Sequence, residues 1–240
     1  MPLLTSFKEE QEWNQKQLSQ TVCDPCFRLW IYCEPAVVLG CSQRNAVSAE
    51  QALERAGIGL STRLAGGGAV LVGPWMLSAS IVLPRSHPLV ASNLTESYRW
   101  VGERFASVLR HVGISAHSIS PEEAQHLQQL SAGALSWACY GGFSPWEVVV
   151  GRRKILGLAQ VRKQTGVLLV AGLLLHNPEW MLLCRVMGAP PLDAGLLELC
   201  TTSCTEQLGR VLPLTEIVSP LAWALQSGLE IPNKSGQSGG

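Results

Sequence analysis

This sequence has no net charge and little charge of either sign. Eighteen basic side chains balance eighteen acidic ones, and charged residues make up 15% of 240, against roughly 25% in an average soluble domain. A balanced chain casts no global field to draw in nucleic acid or an anionic membrane. Long hydrophobic runs are also missing. The most apolar stretch, Val167 to Leu175, is nine residues, well short of the ~20 a membrane helix needs. The opening segment, MPLLTSFKEEQEWNQKQLSQ, is polar after Leu4 and has no basic start leading into an apolar run, so no targeting segment is read there. The expectation is a soluble, cytoplasmic protein. Repeats, heptads and low-complexity runs are absent as well.

What is present is apolar. Apolar residues make up 47% of the chain, enough to offset the entropy of ordering it. The length fits one large domain, expected over residues 1–232, with a flexible tail over 233–240 (NKSGQSGG). Eight cysteines are scattered along it. Cys23-Asp-Pro-Cys26 is a CxxC, but no second CxxC and no HxxxH follows at finger spacing, so free thiols are expected and no metal site.

Strands are expected at Phe27–Cys33 and Ala36–Gly40, broken at Glu34-Pro35, and at Ile58–Thr62, Ala69–Val72 and Met76–Leu83. Three more follow at Glu147–Val150, Lys154–Val161 and Val167–Leu175, joined by turns at Gly151-Arg152-Arg153 and Gln164-Thr165-Gly166. Helices are expected at Ser6–Gln20, Ser48–Ala56, Leu94–Val112, Pro121–Leu130, Pro178–Cys184 and Thr205–Ser227. Strands cluster as antiparallel groups between helices. That predicts an α+β fold of mixed or antiparallel sheets packed with helices.

Three segments carry candidate chemistry. In Arg63-Leu-Ala-Gly66-Gly67-Gly68-Ala69-Val70, three glycines between strands remove every Cβ, so a ligand can lie against backbone N–H groups. Arg63 is placed to meet a carboxylate or phosphate. Read alone, the run also fits a plain loop or bulge. In Lys154-Ile155-Leu156-Gly157-Leu158-Ala159-Gln160, Gly157 and Ala159 share one face of a strand and leave a slot that Lys154 overhangs. The same segment fits an edge strand with a solvated lysine. In Cys139-Tyr140-Gly141-Gly142-Phe143-Ser144-Pro145-Trp146-Glu147, a thiol sits in a glycine-flanked loop, where a nearby ammonium would favour the reactive thiolate.

Together these segments make the sequence resemble the catalytic domain shared by lipoate–protein ligases, octanoyltransferases and biotin–protein ligases. RLAGGGAV is similar to the family's Arg-Arg-x-Ser/Thr-Gly-Gly-Gly-Ala-Val signature, and GRRKILGLAQVRK to its lysine-strand signature. AVVLGCSQRN is similar to its strand ending in Gly-x-x-Gln-Asn. The order of these motifs, from about Arg28 to Leu175, is more specific than any one of them. CYGGFSPWE resembles the segment of the cysteine-dependent octanoyltransferases, with Ser144 and Glu147 at the matching places and Lys154 fifteen positions after Cys139.

The resemblance implies an acyl-thioester on Cys139 with its pKa lowered by Lys154. It implies a pocket lined by Arg63, Gly66, Gly67, Gly68, Ala69 and Val70 and floored by Gly157, Ala159 and Gln160. It further implies an octanoyl or lipoyl group passed from an acyl carrier protein to a lysine of a lipoyl-domain acceptor, with no cofactor. The alternatives are an ATP- and Mg-dependent lipoate ligase, with Lys154 and Arg63 on the phosphate, and a non-catalytic acyl- or lipoyl-binding paralogue. The chain departs from the family at Thr62, at Val72-Gly73, at Leu158 and at Ala171, where the family has polar or charged residues. Those residues help set pocket and acceptor contacts, so a diverged substrate stays open.

Overall fold

A computed structural model describes residues 2–43, 57–90, 95–130 and 135–230. The helix expected at Ser48–Ala56 and the tail expected over 233–240 lie outside them. Among the described residues no helix is long and apolar enough to cross a membrane.

The main sheet has seven strands. In chain order they are β1 (Leu3–Thr5), β2 (Cys26–Tyr32), β6 (Met76–Leu83), β7 (Ala116–Ser118), β8 (Val148–Val150), β9 (Arg153–Lys163) and β10 (Gly166–Leu174), and in space they run β1-β2-β6-β10-β9-β8-β7. Every pairing is antiparallel except β1 with β2. A second sheet holds β3 (Ala36–Leu39), β4 (Gly59–Thr62) and β5 (Val70–Val72) in the order β4-β3-β5, with β3 and β4 parallel. The mixed α+β fold expected from the sequence is present. The breaks at Glu34-Pro35 and Gly73-Pro74 do more than turn the chain. Each sends it from one sheet to the other.

Alternation along the central strand sets the two faces of the main sheet. Leu77, Ala79, Ile81 and Leu83 of β6 point into a core shared with α2 (Glu96–His111) and α7 (Leu214–Leu229). Ser78 and Ser80 point the other way, toward α1 (Phe7–Gln17). Helix α1 starts at a capping box, in which Ser6 Oγ accepts from the Glu9 N–H and the Glu9 carboxylate accepts from the Ser6 N–H, an arrangement that satisfies two otherwise orphaned donors. The small sheet covers this second face together with α4 (Trp180–Met187) and α5 (Leu192–Cys200). Helix α3 (Pro121–Leu130) packs separately over Val149.

Four elements differ from expectation. The helix expected over Thr205–Ser227 is two, α6 (Cys204–Leu208) and α7, because Gly209 is left-handed at φ 65° and Pro213 follows, a combination that stops one helix and starts the next. Helix α5 and the short strands β1 and β7 have no counterpart among the expected elements.

Candidate active site

The glycine loop and the cysteine loop form one backbone unit. The Ala69 N–H donates to the Trp137 carbonyl at 2.7 Å, and the Cys139 N–H donates back to the Ala69 carbonyl at 2.8 Å. Gly68 permits this approach, since a Cβ there would stand 2.6 Å from the Ala138 carbonyl carbon and from the Trp137 oxygen. Gly67 sits at φ 94°, a region that costs other residues strain. The upstream Gly-x-x-Gln motif joins the same unit. Gln43 Nε2 donates to the Trp137 carbonyl at 2.9 Å, and Gly40 packs against the Gly67 carbonyl with no room for a side chain.

Arg63 is buried at 8% exposure. Its guanidinium donates to the Gly66 carbonyl at 2.9 and 3.2 Å and to the Gly68 carbonyl at 2.9 Å. It therefore braces the loop rather than standing open to an anion.

Cys139 opens a short 3-10 turn, Cys139–Gly141, and is half-buried. Lys154 reaches it across the sheet. Its Nζ, on a residue only 1% exposed, lies 2.8 Å from Glu147 Oε2 and donates to the Cys139 carbonyl at 3.0 Å. The rings of Tyr140 and Phe143 stand 5.6 Å from it. Glu147 accepts in turn from the Ser144 N–H at 2.8 Å and the Leu158 N–H at 3.2 Å. A buried ion pair needs this kind of full hydrogen bonding to offset its desolvation. The cysteine and lysine, fifteen positions apart in sequence, thus meet in space. The lysine's charge, however, is matched by Glu147 and aimed at a carbonyl.

Two cavities meet at Cys139. One is walled by Val38, Val70, Val72, Met76, Leu168 and Val170, with Gly157, Ala159 and Gly172 among its lining. The other is lined by Gly66, Gly67, Gly68, Gln128, Ser136 and Gln160 among others. Arg63, Cys139, Leu158 and Ala159 border both. The residues singled out from the sequence therefore divide by chemistry. Val70 and Gly157 serve the apolar side and Gly66 to Gly68 and Gln160 the polar side, while Ala69, fully buried, lines neither and joins the two loops.

Sequence reasoning missed Tyr140. Its hydroxyl donates to the Gly172 carbonyl at 2.6 Å, and a Cβ at Gly172 would stand only 3.0 Å from that hydroxyl. Burial, then the negative charges of Cys139 and Glu147, push its pKa well up, so it stays a donor. Four other thiols are held protonated by burial, namely Cys26, Cys184, Cys200 and Cys204, the last pushed up to about 12. Among the described residues no group of three or more His, Cys, Asp or Glu could hold a metal ion. A nucleotide phosphate is poorly served too, since both cations offered for it, Arg63 and Lys154, are buried and engaged.

The geometry has counterparts. Residues 9–193 match the model of the lipoyl protein ligase A/B catalytic domain. The Octanoyltransferase LipM of Kyrpidia tusciae is 37% identical over 167 residues, 69% of this chain and 60% of that protein. The Octanoyltransferase LipM of Staphylococcus aureus is 31% identical over 162 residues, 67% of this chain and 57% of that protein. The chain thus spans less than two thirds of these relatives. A bi-partite lipoate protein ligase from Thermoplasma acidophilum shares the fold, with TM-score 0.69 and 18% identity over 98% of this chain and 84% of that one. A lipoate-protein ligase A solved with ATP does so with TM-score 0.66 and 19% identity over 95% and 84%.

Proposed function

Because the chain belongs to the lipoyl protein ligase A/B catalytic domain family, we propose that it is an acyltransferase of lipoate metabolism working through Cys139. The observation that carries this reading is the position of that thiol. It stands where an apolar cavity meets a polar one, its backbone clamped by Ala69 on one side and by Lys154 on the other. The apolar cavity suits a medium acyl chain, at about 0.8 kcal/mol per buried CH₂. The polar cavity gives two protein substrates access to the same sulfur.

The reaction has two steps. Cys139, as thiolate, attacks the thioester carbonyl of an octanoylated acyl carrier protein. The carbonyl carbon gains a bond to Cys139 Sγ and loses its bond to the carrier sulfur, which leaves as thiolate and takes a proton. A lysine amine of a lipoyl-domain acceptor then attacks the new thioester. The bond to Sγ breaks, an amide forms, the amine loses a proton and the thiol is restored. Conversion of thioester to amide is downhill and calls for neither ATP nor metal. The Octanoyltransferase LipM relatives and the Thermoplasma ligase, described together with its E2 lipoyl domain, support the substrates. Eight free cysteines fit the cytoplasm, where thiols stay reduced.

Lys154 acts in this reading as a positioning residue. With Glu147 neutralising it, its chief contribution is to fix the Cys139 carbonyl and hence the turn that aims Sγ. The N–H groups of Ala69 and Cys139 already donate to backbone carbonyls, so an oxyanion would use other donors of these loops.

Intact mass spectrometry tests the proposal. Octanoyl carrier protein should add one octanoyl group to the wild type and none to Cys139→Ala, and the adduct should pass to a lipoyl domain. Acceptor modification that needs lipoate plus ATP and survives Cys139→Ala would overturn it.

A further inference from the structure

Trp137 is held by more than its backbone. Its carbonyl accepts from the Ala69 N–H at 2.7 Å and from Gln43 Nε2 at 2.9 Å, and two residues on the Cys139 N–H donates to the Ala69 carbonyl at 2.8 Å. The side chain adds a further point. Its indole Nε1 donates to Asp193 Oδ2 at 2.9 Å, across 56 positions of sequence. Asp193 is 9% exposed and lies in the first turn of α5, where the helix dipole favours an acidic side chain. A hydrogen bond to a carboxylate is also stronger than one between neutral groups. The far end of the same helix returns to the cysteine turn. Cys200 Sγ stands 3.6 Å from the Tyr140 carbonyl, and Thr202, just past the helix, donates its N–H to the Lys154 carbonyl at 2.9 Å. Helix α5 therefore meets the chain on both sides of Cys139.

A residue held at its carbonyl alone can pivot about that oxygen. The Cys139 N–H bond restrains the pivot, but it runs to Ala69, the residue that also holds the Trp137 carbonyl. Both bonds move with the glycine loop. The indole bond leaves the backbone in another direction and ties the segment to a helix instead. Neither Trp137 nor Asp193 borders either cavity, so the pair is not placed to bind the acyl group. What it can do is set how the segment leading into the nucleophile is turned. We propose that Asp193 is a positioning residue, which through the Trp137 indole fixes the direction in which Cys139 presents its sulfur. This deepens the acyl-transfer reading and rests on it.

The test follows acylation of Cys139 by octanoyl-pantetheine at graded concentrations, by intact mass. Asp193→Leu, similar in size and without an acceptor, should lower the rate at saturating donor by about tenfold to a hundredfold, the scale of a small misplacement of a reacting group. The half-saturating concentration should stay within about twofold, since neither residue lines a cavity. Trp137→Phe keeps a ring and loses the N–H. It should fall by a similar factor, and it carries the test alone should Asp193→Leu not fold. The double variant should fall no further, because both changes remove the same bond. Asp193→Asn keeps a carbonyl to accept from the indole and should recover most of the rate. A wild-type rate in Asp193→Leu or Trp137→Phe overturns the inference and leaves the transferase reading standing. So does an Asp193→Asn loss as deep as that of Asp193→Leu, or a loss confined to the half-saturating concentration. If the wild type is not acylated, the transferase reading fails, and the positioning is read from hydrogen exchange. Exchange at the Cys139 amide should rise at least about fivefold in Trp137→Phe and stay at the wild-type rate in Asp193→Asn. An unchanged amide in Trp137→Phe overturns the inference.

Discussion

Replacing Lys154 with methionine separates what the buried pair does for the fold from what it does for the thiol. The lysine is 1% exposed and the Glu147 side chain 3%. Lys154→Met leaves a carboxylate in the interior with only the Ser144 and Leu158 N–H groups for partners. Breaking such a pair costs about 3–5 kcal/mol, a large share of the roughly 5–15 kcal/mol that holds a domain folded. In a chain of this size that corresponds to a fall in Tm of about 6–20 °C. Lys154→Met/Glu147→Gln removes both charges, and the carbonyl of the introduced amide can still accept from the Leu158 N–H. It should regain all but about 1–1.5 kcal/mol in urea unfolding with an unchanged m value. Acylation of Cys139 should not recover with it. The Cys139 carbonyl has still lost its 3.0 Å donor, and the adduct should form at least about tenfold more slowly than in the wild type. Two results would refute the reasoning. One is a single variant within about 1 kcal/mol of wild type, and the other is a double variant that acylates at the wild-type rate.

Two further expectations concern the loop and the helix. Gly68→Ala drives a Cβ to 2.6 Å from the Ala138 carbonyl carbon, so it should cost about 1–3 kcal/mol and raise hydrogen exchange at the Cys139 amide. Gly66→Ala, with nothing within 4 Å, should stay within about 0.5 kcal/mol in stability, and equal losses for the two would contradict the docked-loop geometry. Burial raises the Glu10 carboxyl pKa, against the hydrogen bonds from Tyr32, Ser80 and Ser78 and a weaker pull from the Asn14 amide, which stands outside hydrogen-bonding geometry. The native state therefore holds that proton more tightly than the unfolded chain. Its stabilising contribution is complete below about pH 4.3 and is lost as pH rises through the native value, at up to about 1.4 kcal/mol per unit. Glu10→Gln should flatten the Tm–pH profile above pH 4, and profiles that run parallel to wild type would exclude the effect.

The sequence showed the strands of the main sheet well because β6, β9 and β10 are long and alternate or run apolar. The three-residue strands β1 and β7 carry no period to read, and their pairing is set by neighbours distant in sequence. Helix α5 follows two prolines in a leucine-rich stretch whose periodicity is weak. The candidate site was legible where local composition is unusual, as at the glycine run, the Gly157/Ala159 slot and Cys139. The polar residues by which α1 lines the apolar cavity were not. Phe7, Glu10, Asn14 and Leu18 do recur at helical spacing, and that stripe is the buried one. The two polar residues within it read as a solvent face until Tyr32 and Ser78 are seen to meet Glu10.

The clamp around Trp137 to Cys139 bears on how such a protein tolerates change. Gly40, Gln43, Arg63, Gly66, Gly68, Ala69 and Cys139 are linked through main-chain carbonyls or direct packing. Stretches nearly a hundred residues apart in the chain thus behave as a single mechanical part. A change that moves the backbone of one of them moves the mounting of the sulfur with it. Thr62, Val72-Gly73, Leu158 and Ala171, where this chain leaves its family's pattern, contribute none of those linking contacts. Val72 and Leu158 line the cavities, so the side chains that shape the cavity can differ while the mounting of the nucleophile keeps its contacts.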